Sequence, residues 1–284
     1  MKKYSFKNHE YEINEMLAGV SGETYELQDE QLGQGGNGIV CKCLDIRGIG
    51  YAVKIQINTN QKCLKRFNQE ISLMQKLKDS ENIIRYIDNG GVNIKNTYSQ
   101  KIEKTHFLIM ELADSNLRDF MQTLDKKVDY AFYIPRFRGL CQALSDLHNY
   151  AIHRDIKPEN ILIKGDSWLL SDFGLCEFLD SSEHQDLTGI YEKIGPIYWM
   201  SPEAINRVYF KEDKIGSYSD VYQLGMLFAF VLLRSYPGGM LYDKMLETTP
   251  EVEKLIFDSI SNNYDKRPKD GSELLDLFNK ATIK

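Results

Sequence analysis

His153-Arg154-Asp155-Ile156-Lys157-Pro158-Glu159-Asn160 decides the reading of this chain. The stretch gathers a carboxylate, an ammonium and an amide between two apolar segments. A phosphoryl-transfer site needs those types: a carboxylate to orient an acceptor hydroxyl, a cation for the transferring phosphate, and an oxygen ligand for magnesium. Asp155, Lys157 and Asn160 supply them, and a loop that only joined two elements would have no reason to collect all three. Asp172-Phe173-Gly174 follows twelve residues after Asn160 (172 − 160), across the hairpin-like ILI-KGDS-WLL. Asp172 can ligate a metal that bridges two phosphates, and Gly174 permits a backbone turn beside it.

Outward from this loop the texture is helical. Phe137, Leu140, Leu144 and Leu147 form one apolar stripe at spacings of three and four, widened by Cys141 and His148. The run Leu224–Leu233 is uncharged and ten residues long (233 − 224 + 1), too short to span a bilayer and suited to a buried helix. Upstream, short apolar runs broken by glycine (YELQDEQLG, GIVCKCLDI, GYAVKIQI) read as a strand meander. A helix follows on Leu64, Phe67, Ile71, Met74 and Leu77. Two more strand-like runs, IIRYI and HFLIMEL, are separated by a polar loop from about Asn89 to Thr105. A sheet-rich first third and a helix-rich remainder predict two lobes meeting near Leu112 to Ser115, and the cleft between lobes is the usual home of a ligand site.

Two features of the first third bear on chemistry. Gly33-Gln34-Gly35-Gly36-Asn37-Gly38-Ile39-Val40 lets backbone N–H groups approach phosphate oxygens that a Cβ would obstruct, although a tight hairpin turn alone would use the same glycines. A strand follows it where a dinucleotide fold requires a helix. In GYAVKIQI, Val53, Ile55 and Ile57 share one face while Ala52, Lys54 and Gln56 share the other. A lysine held mid-strand implies an anionic partner unless it snorkels to solvent. The nearest helical carboxylate is Glu70, between Phe67 and Ile71.

The chain has 284 residues, 42% hydrophobic and 27% charged, which excludes wholesale disorder and fibrous repeats. A net charge of -6 argues against nucleic acid as the main partner. Five cysteines without a C-x-x-C pair argue against a disulfide framework or zinc site. The opening MKKYSFKNHEYEINEM has no apolar stretch behind its basic start and does not read as a signal peptide. A soluble, cytoplasmic protein without a membrane partner is expected.

These motifs, in this order from Tyr25 to Phe278, resemble the eukaryotic-type protein kinase family. The resemblance implies an α+β, bilobal fold: a small antiparallel β-sheet lobe with one main helix (25–113) and a larger, mostly helical lobe (114–284), after an extension (1–24) that reads as a frayed tail rather than a regulatory strap. It implies ATP and Mg2+ as ligands and a protein substrate. By resemblance, Gly33, Gly35, Gly38 and Val40 cover ATP, and Lys54 holds its α- and β-phosphates while paired with Glu70. Asp155 acts as base, Lys157 meets the γ-phosphate, and Asn160 and Asp172 hold magnesium. Val40, Ala52 and Leu162 sandwich the adenine, Met110 guards the back of its pocket, and Glu111 to Ala113 offer backbone hydrogen bonds. Met74, Tyr86, His153 and Phe173 form a column that reports active alignment, although plain core packing would equally account for Met110 and Tyr86. Glu203 of Ser201-Pro202-Glu203 pairs with Arg267, and Asp220 braces the catalytic loop.

Lys157 resembles the serine/threonine branch, whereas Pro196, where that branch usually carries threonine, resembles the tyrosine branch. Serine/threonine transfer with autophosphorylation is expected, with dual-specificity or tyrosine transfer as the alternative. A pseudokinase scaffold would have lost Lys54, Asp155, Asn160 or Asp172, and a small-molecule kinase would commonly lack Lys157 and Ser-Pro-Glu; all are present. Arg154 marks control by phosphorylation at Ser181, Ser182, Thr188 or Tyr191. Glu177, Asp180, Glu183, Asp186 and Glu192 offer carboxylates that would replace that phosphate, or else simply form a solvated loop.

Overall fold

The computed structural model describes residues 1–125, 127–180, 197–210, 215–238, 241 and 245–283. The chain divides into two compact units, Met1–Asp79 with Ile84–Ala113, and Ser80–Ile83 with Asp114–Lys284.

The first unit is an eight-stranded antiparallel sheet with one long helix. Its strands are β1 (Lys2–Phe6), β2 (His9–Ile13), β3 (Met16–Ala18), β4 (Thr24–Gln34), β5 (Gly38–Asp45), β6 (Gly50–Gln56), β7 (Tyr86–Asn96) and β8 (Ile102–Glu111), with α1 spanning Gln61–Lys76. The spatial order is β1-β2-β7-β8-β6-β5-β4-β3. Alternation decides what each strand buries. In β6, Val53 and Ile55 are fully buried in the core while Lys54 faces the other way. Asn60 caps α1 by accepting the Cys63 N–H at 2.8 Å, and its inward stripe is Cys63, Phe67, Glu70, Ile71, Leu73 and Met74.

Two expectations need correction here. Residues 1–24 are no frayed tail. β2 pairs with β7 and β3 pairs with β4, so the segment occupies both edges of the sheet. Tyr4, Phe6, Ile13 and Leu17 enter the same core as Leu27, Val53 and Phe107. Buried Asp88 ties the segment down by accepting the Ser21 hydroxyl at 2.5 Å and the Tyr25 hydroxyl at 3.3 Å. The polar loop expected over 89–105 is instead largely strand, since β7 runs to Asn96 and β8 starts at Ile102. Asp88, Gly90, Val92 and Ile94 alternate inward, and two of those four inward positions carry no apolar side chain to announce the period.

The second unit is built on α2 (Leu117–Thr123), α3 (Tyr130–Leu147), α4 (Pro202–Phe210), α5 (Ser217–Leu233), α6 (Pro250–Ser259) and α7 (Gly271–Thr282). The stripe on α3 delivers Phe137 onto Phe228 of α5, their rings stacked at 3.8 Å, and Phe228 meets Phe278 of α7 at 6.2 Å. Short strands β9 (Ser115–Asn116), β11 (Ile161–Lys164) and β12 (Ser167–Leu170) form one small sheet, while β10 (Ala151–Ile152) and β13 (Glu177–Phe178) form another. These strands support the loops that carry the motifs. Among the described residues, no helix is long and apolar enough to cross a membrane.

If the first strands belong to the core, Leu17→Ala should cost about 2–5 kcal/mol, the range for a buried leucine truncated to alanine. Urea unfolding would measure it, and a variant as stable as the parent would return the segment to a tail.

Candidate functional site

In the first unit, β6 and α1 bring together the lysine and glutamate that spacing had singled out. The Lys54 ammonium lies 2.6 Å from Glu70 Oε1 and 2.9 Å from Oε2. The Glu70 side chain is 3% exposed and that of Lys54 20%, so snorkelling does not describe this lysine. A desolvated pair of this kind contributes little net stability, and losing one partner leaves an uncompensated charge.

The glycine turn joins β4 to β5, with irregular register between Leu27 and Gln31 and between Gln31 and Gly33. Its glycines are not equivalent. A Cβ on Gly38 would sit 2.3 Å from the Ile55 carbonyl oxygen, so that glycine is required by the packing of β5 on β6. A Cβ on Gly33, Gly35 or Gly36 would meet nothing within 4 Å among the described residues. Those three leave an open backbone face, which the fold itself does not demand. Val40 pairs in register with Lys54, and Ala52 with Met110. Glu111 donates its N–H to the Arg85 carbonyl at 3.0 Å, so it cannot offer that N–H to a base. Ala113 is the last residue of this unit. Met74 is buried, and the Tyr86 hydroxyl donates to Asn89 Oδ1 at 2.6 Å.

In the second unit, the loop after β10 is fixed from below by α5. Asp220, fully buried, accepts the backbone N–H of His153 at 2.6 Å and of Arg154 at 2.8 Å, and contacts His148 Nε2 at 3.0 Å. One turn further along α5, Gln223 accepts the Ile156 N–H at 3.0 Å and donates to the Arg154 carbonyl at 3.3 Å. Arg154 is thereby held at φ 70°, in the left-handed region. The strained backbone turns Asp155 into a polar cluster. Asp155 Oδ2 accepts Lys157 Nζ at 2.6 Å and Asn160 Nδ2 at 2.9 Å. Asp155 Oδ1 is buried and has no hydrogen-bond partner among the described residues. Burial pushes the Asp155 carboxyl above the ordinary carboxylate range, Lys157 opposes that shift, and the negative charge of Asp172 adds to it.

The Asp172 turn follows β12. The left-handed residue there is Asp172 itself, at φ 63°, whereas Gly174 sits within a turn closed by the Cys176 N–H on the Phe173 carbonyl at 3.1 Å. Ser171 locks this turn to the loop, its hydroxyl donating to the Asn160 carbonyl at 2.8 Å. The His153 and Phe173 rings are in contact at 5.3 Å, and Leu162 is half-buried on β11. Glu203 and Arg267 form a buried two-pronged pair at 2.7 and 3.0 Å. Burial favours the neutral Glu203 carboxyl, but hydrogen bonds from Arg267 and Ser219 outweigh it and hold the group below its usual range.

Arg154 and Glu177 also meet as an ion pair, with 2% of the arginine side chain exposed. Strand pairing of β10 with β13 places Glu177 opposite Ile152, two residues before the arginine. Ser181, Ser182, Glu183, Asp186, Thr188, Tyr191, Glu192 and Pro196 lie outside the described residues.

Sequence reasoning missed Gln223 and misjudged His148. Gln223 stands three residues beyond Asp220 on one helix, a spacing that puts both on the same face and was the available signal. His148 was counted in an apolar stripe, yet its ring also accepts the Gly271 N–H at 2.8 Å and so joins α3, α5 and α7.

The fold and these loops have counterparts among known proteins. A family model described as the protein kinase domain matches residues 26–282. Serine/threonine-protein kinase PAK 1 of Mus musculus is 30% identical over 234 residues, 79% of this chain and 39% of that protein. Calcium-dependent protein kinase 3 of Plasmodium yoelii yoelii is 30% identical over 229 residues, 78% of this chain and 38% of that protein. The chain therefore spans about two fifths of the length of these relatives. A catalytic-type loop hung from a buried aspartate, a strand lysine paired to a helix glutamate, and a match over nearly the whole sequence lead to one assignment: the chain belongs to the protein kinase domain family.

Proposed function

We propose that the protein transfers the γ-phosphoryl group of ATP to serine or threonine hydroxyls of proteins, itself included, in the presence of Mg2+. The observation that carries this reading is Asp155: one carboxylate oxygen is fixed by Lys157 and Asn160, while the other is buried without a partner among the described residues. A buried, unmet acceptor costs about 1–3 kcal/mol, and an acceptor hydroxyl donating to Oδ1 would remove that cost. The donor set also suits the ligands. Asn160 and Asp172 carry hard oxygen donors of the type magnesium takes, and Gly33, Gly35 and Gly36 leave backbone open to phosphate. Bound magnesium would neutralise charge on the phosphates during transfer.

In this reading Asp155 orients the acceptor hydroxyl and receives its proton, and Lys157 faces the transferred group. Lys54, steadied by Glu70, holds the α- and β-phosphates beneath the glycine turn. Val40, Ala52, Leu162, Met110 and the stretch Glu111–Ala113 form the adenine site. The segments 25–113 and 114–284 act as nucleotide-binding and catalytic lobes. Lys157 and the serine/threonine and calcium-dependent kinase relatives favour serine/threonine acceptors. Glu177 neutralises Arg154, so the chain supplies internally the negative charge that a loop phosphate would bring.

Asp155→Asn should lower kcat about a hundred- to ten-thousandfold, the contribution of a positioned base, with the KM for ATP little altered. Labelled ATP, magnesium and phosphoamino-acid analysis would measure this and identify the acceptor; full turnover in the variant would refute the assignment.

Because the Asp155 carboxyl is raised, the acid limb of kcat/KM should fall at a pH above the ordinary carboxylate value of about 4. Activity is present above that limb and lost as pH drops through it. Lys157→Met removes a charge that lowers the Asp155 pKa, so the limb should move to still higher pH. A limb that stays in place would detach it from Asp155.

Phosphatase-treated protein should keep its activity, whereas Glu177→Gln should reduce kcat by about tenfold, the scale of one hydrogen bond to a charged group. Inactivation by phosphatase alone would instead make loop phosphate the partner of Arg154.

A further inference from the structure

The β1–β2 hairpin turns on Lys7 and Asn8, at φ 45° and 66°, with Phe6 and His9 paired across it. Two consecutive left-handed residues define the tight hairpin turn that selects asparagine and glycine. Asn8 satisfies that preference. Lys7 does not, and a lysine held there is strained in a way that asparagine would largely avoid.

The ammonium of this strained residue donates to the Gly36 carbonyl at 2.5 Å, at the tip of the glycine turn. The hairpin reaches the tip by running along β4. The Tyr4 hydroxyl donates to the Gln28 carbonyl at 2.6 Å, and Gln31 Nε2 donates to the Ser5 carbonyl at 3.2 Å. From the opposite flank, the Asn37 carbonyl accepts the N–H groups of Ile57 and Asn58, both at 2.9 Å. The tip is therefore held at Asn37 by backbone bonds and at Gly36 by a side chain from the first strands.

We propose that Lys7 is a positioning residue for nucleotide binding, fixing the Gly36 carbonyl so that the glycine turn is set in its phosphate-receiving shape before ligand arrives. The kinetic part of this proposal rests on the reading of the site as an ATP site. The physical reason lies in the glycines: Gly33, Gly35 and Gly36 have no side chains to restrain them, so ordering them costs more backbone entropy than any other residues would. A turn pinned at the Gly36 carbonyl as well as at Asn37 loses less freedom on binding, and affinity rises by that saving.

Lys7→Asn separates this role from a structural one, because it removes the ammonium while suiting the left-handed turn better. Its melting temperature should equal or exceed that of the parent. Hydrogen exchange at the amides of residues 35–38, measured without nucleotide, should be about three- to tenfold faster, the scale of one lost hydrogen bond. The KM for ATP and the calorimetric Kd for MgADP should rise by a similar factor with kcat nearly constant, and Lys7→Arg should restore all three. Unchanged exchange in Lys7→Asn would overturn the clamp, whatever the protein does with ATP. Faster exchange with unchanged MgADP affinity would overturn its part in binding. Failure of the parent itself to bind MgADP would instead sink the reading of the site, and exchange would still decide the clamp.

Discussion

A single buried carboxylate organises the catalytic-type loop. Asp220 is fully buried and accepts two consecutive backbone N–H groups, from His153 and Arg154. An isolated charge at that depth would be prohibitive, and those N–H bonds with the His148 contact are what make it tolerable. In return the carboxylate holds Arg154 in left-handed backbone, a conformation that costs energy for a residue with a Cβ. That one dihedral decides where Asp155 points. The two carboxylate oxygens then acquire different fates, one bound by Lys157 and Asn160 and the other without a partner among the described residues. Asp155 therefore depends on the first turns of α5, a helix that is wholly apolar from Leu224 onward.

Much of this was legible because the chemistry sits in local patterns. Lys54 stood out as the charged member of an alternating strand, and Glu70 as the carboxylate on the inward stripe of the following helix. Both inferences need only the periods of strand and helix. The HRDIKPEN stretch was legible as chemistry since it crowds three reactive types into one loop. The outer strands were not. In β1 and β2 the inward residues Tyr4, Phe6 and Ile13 are interspersed with lysine, glutamate and histidine, which on so short a run imitates a polar tail. Only the pairing of β2 with β7 and the packing of β1 on β4 give those residues something to bury against, and pairing between segments about eighty residues apart leaves no trace in local composition. Gln223 escaped for a related reason: a glutamine on a helix is ordinary until its partner is known to be the backbone of a distant loop.

The glycine turn illustrates how one residue type serves two ends. Gly38 is forced by the Ile55 carbonyl, and this close approach of β5 to β6 would be needed in a hairpin with no ligand at all. Gly33, Gly35 and Gly36 are forced by nothing among the described residues. Counted together in the sequence, the four cannot be told apart, and the hairpin explanation and the phosphate explanation compete. Once resolved, the hairpin explanation accounts for Gly38, and the proposed phosphate role rests on the other three.

The same partition applies to the buried ion pairs. Lys54–Glu70, Arg154–Glu177 and Arg267–Glu203 each hold a side chain that is 5% exposed or less. Well-packed apolar residues in such positions are often as stabilising or more so, so stability alone does not explain why charges are kept there. Direction does. A hydrophobic contact tolerates sliding, while a two-pronged carboxylate bond fixes both distance and orientation. Lys54–Glu70 ties β6 to α1, Glu177 holds Arg154 beside Asp155, and Glu203 ties α4 to the segment leading into α7. Each pair thus sets the angle of an element that bears a functional group or abuts one, and the apolar cores of the two units supply the stability against which that placement is maintained.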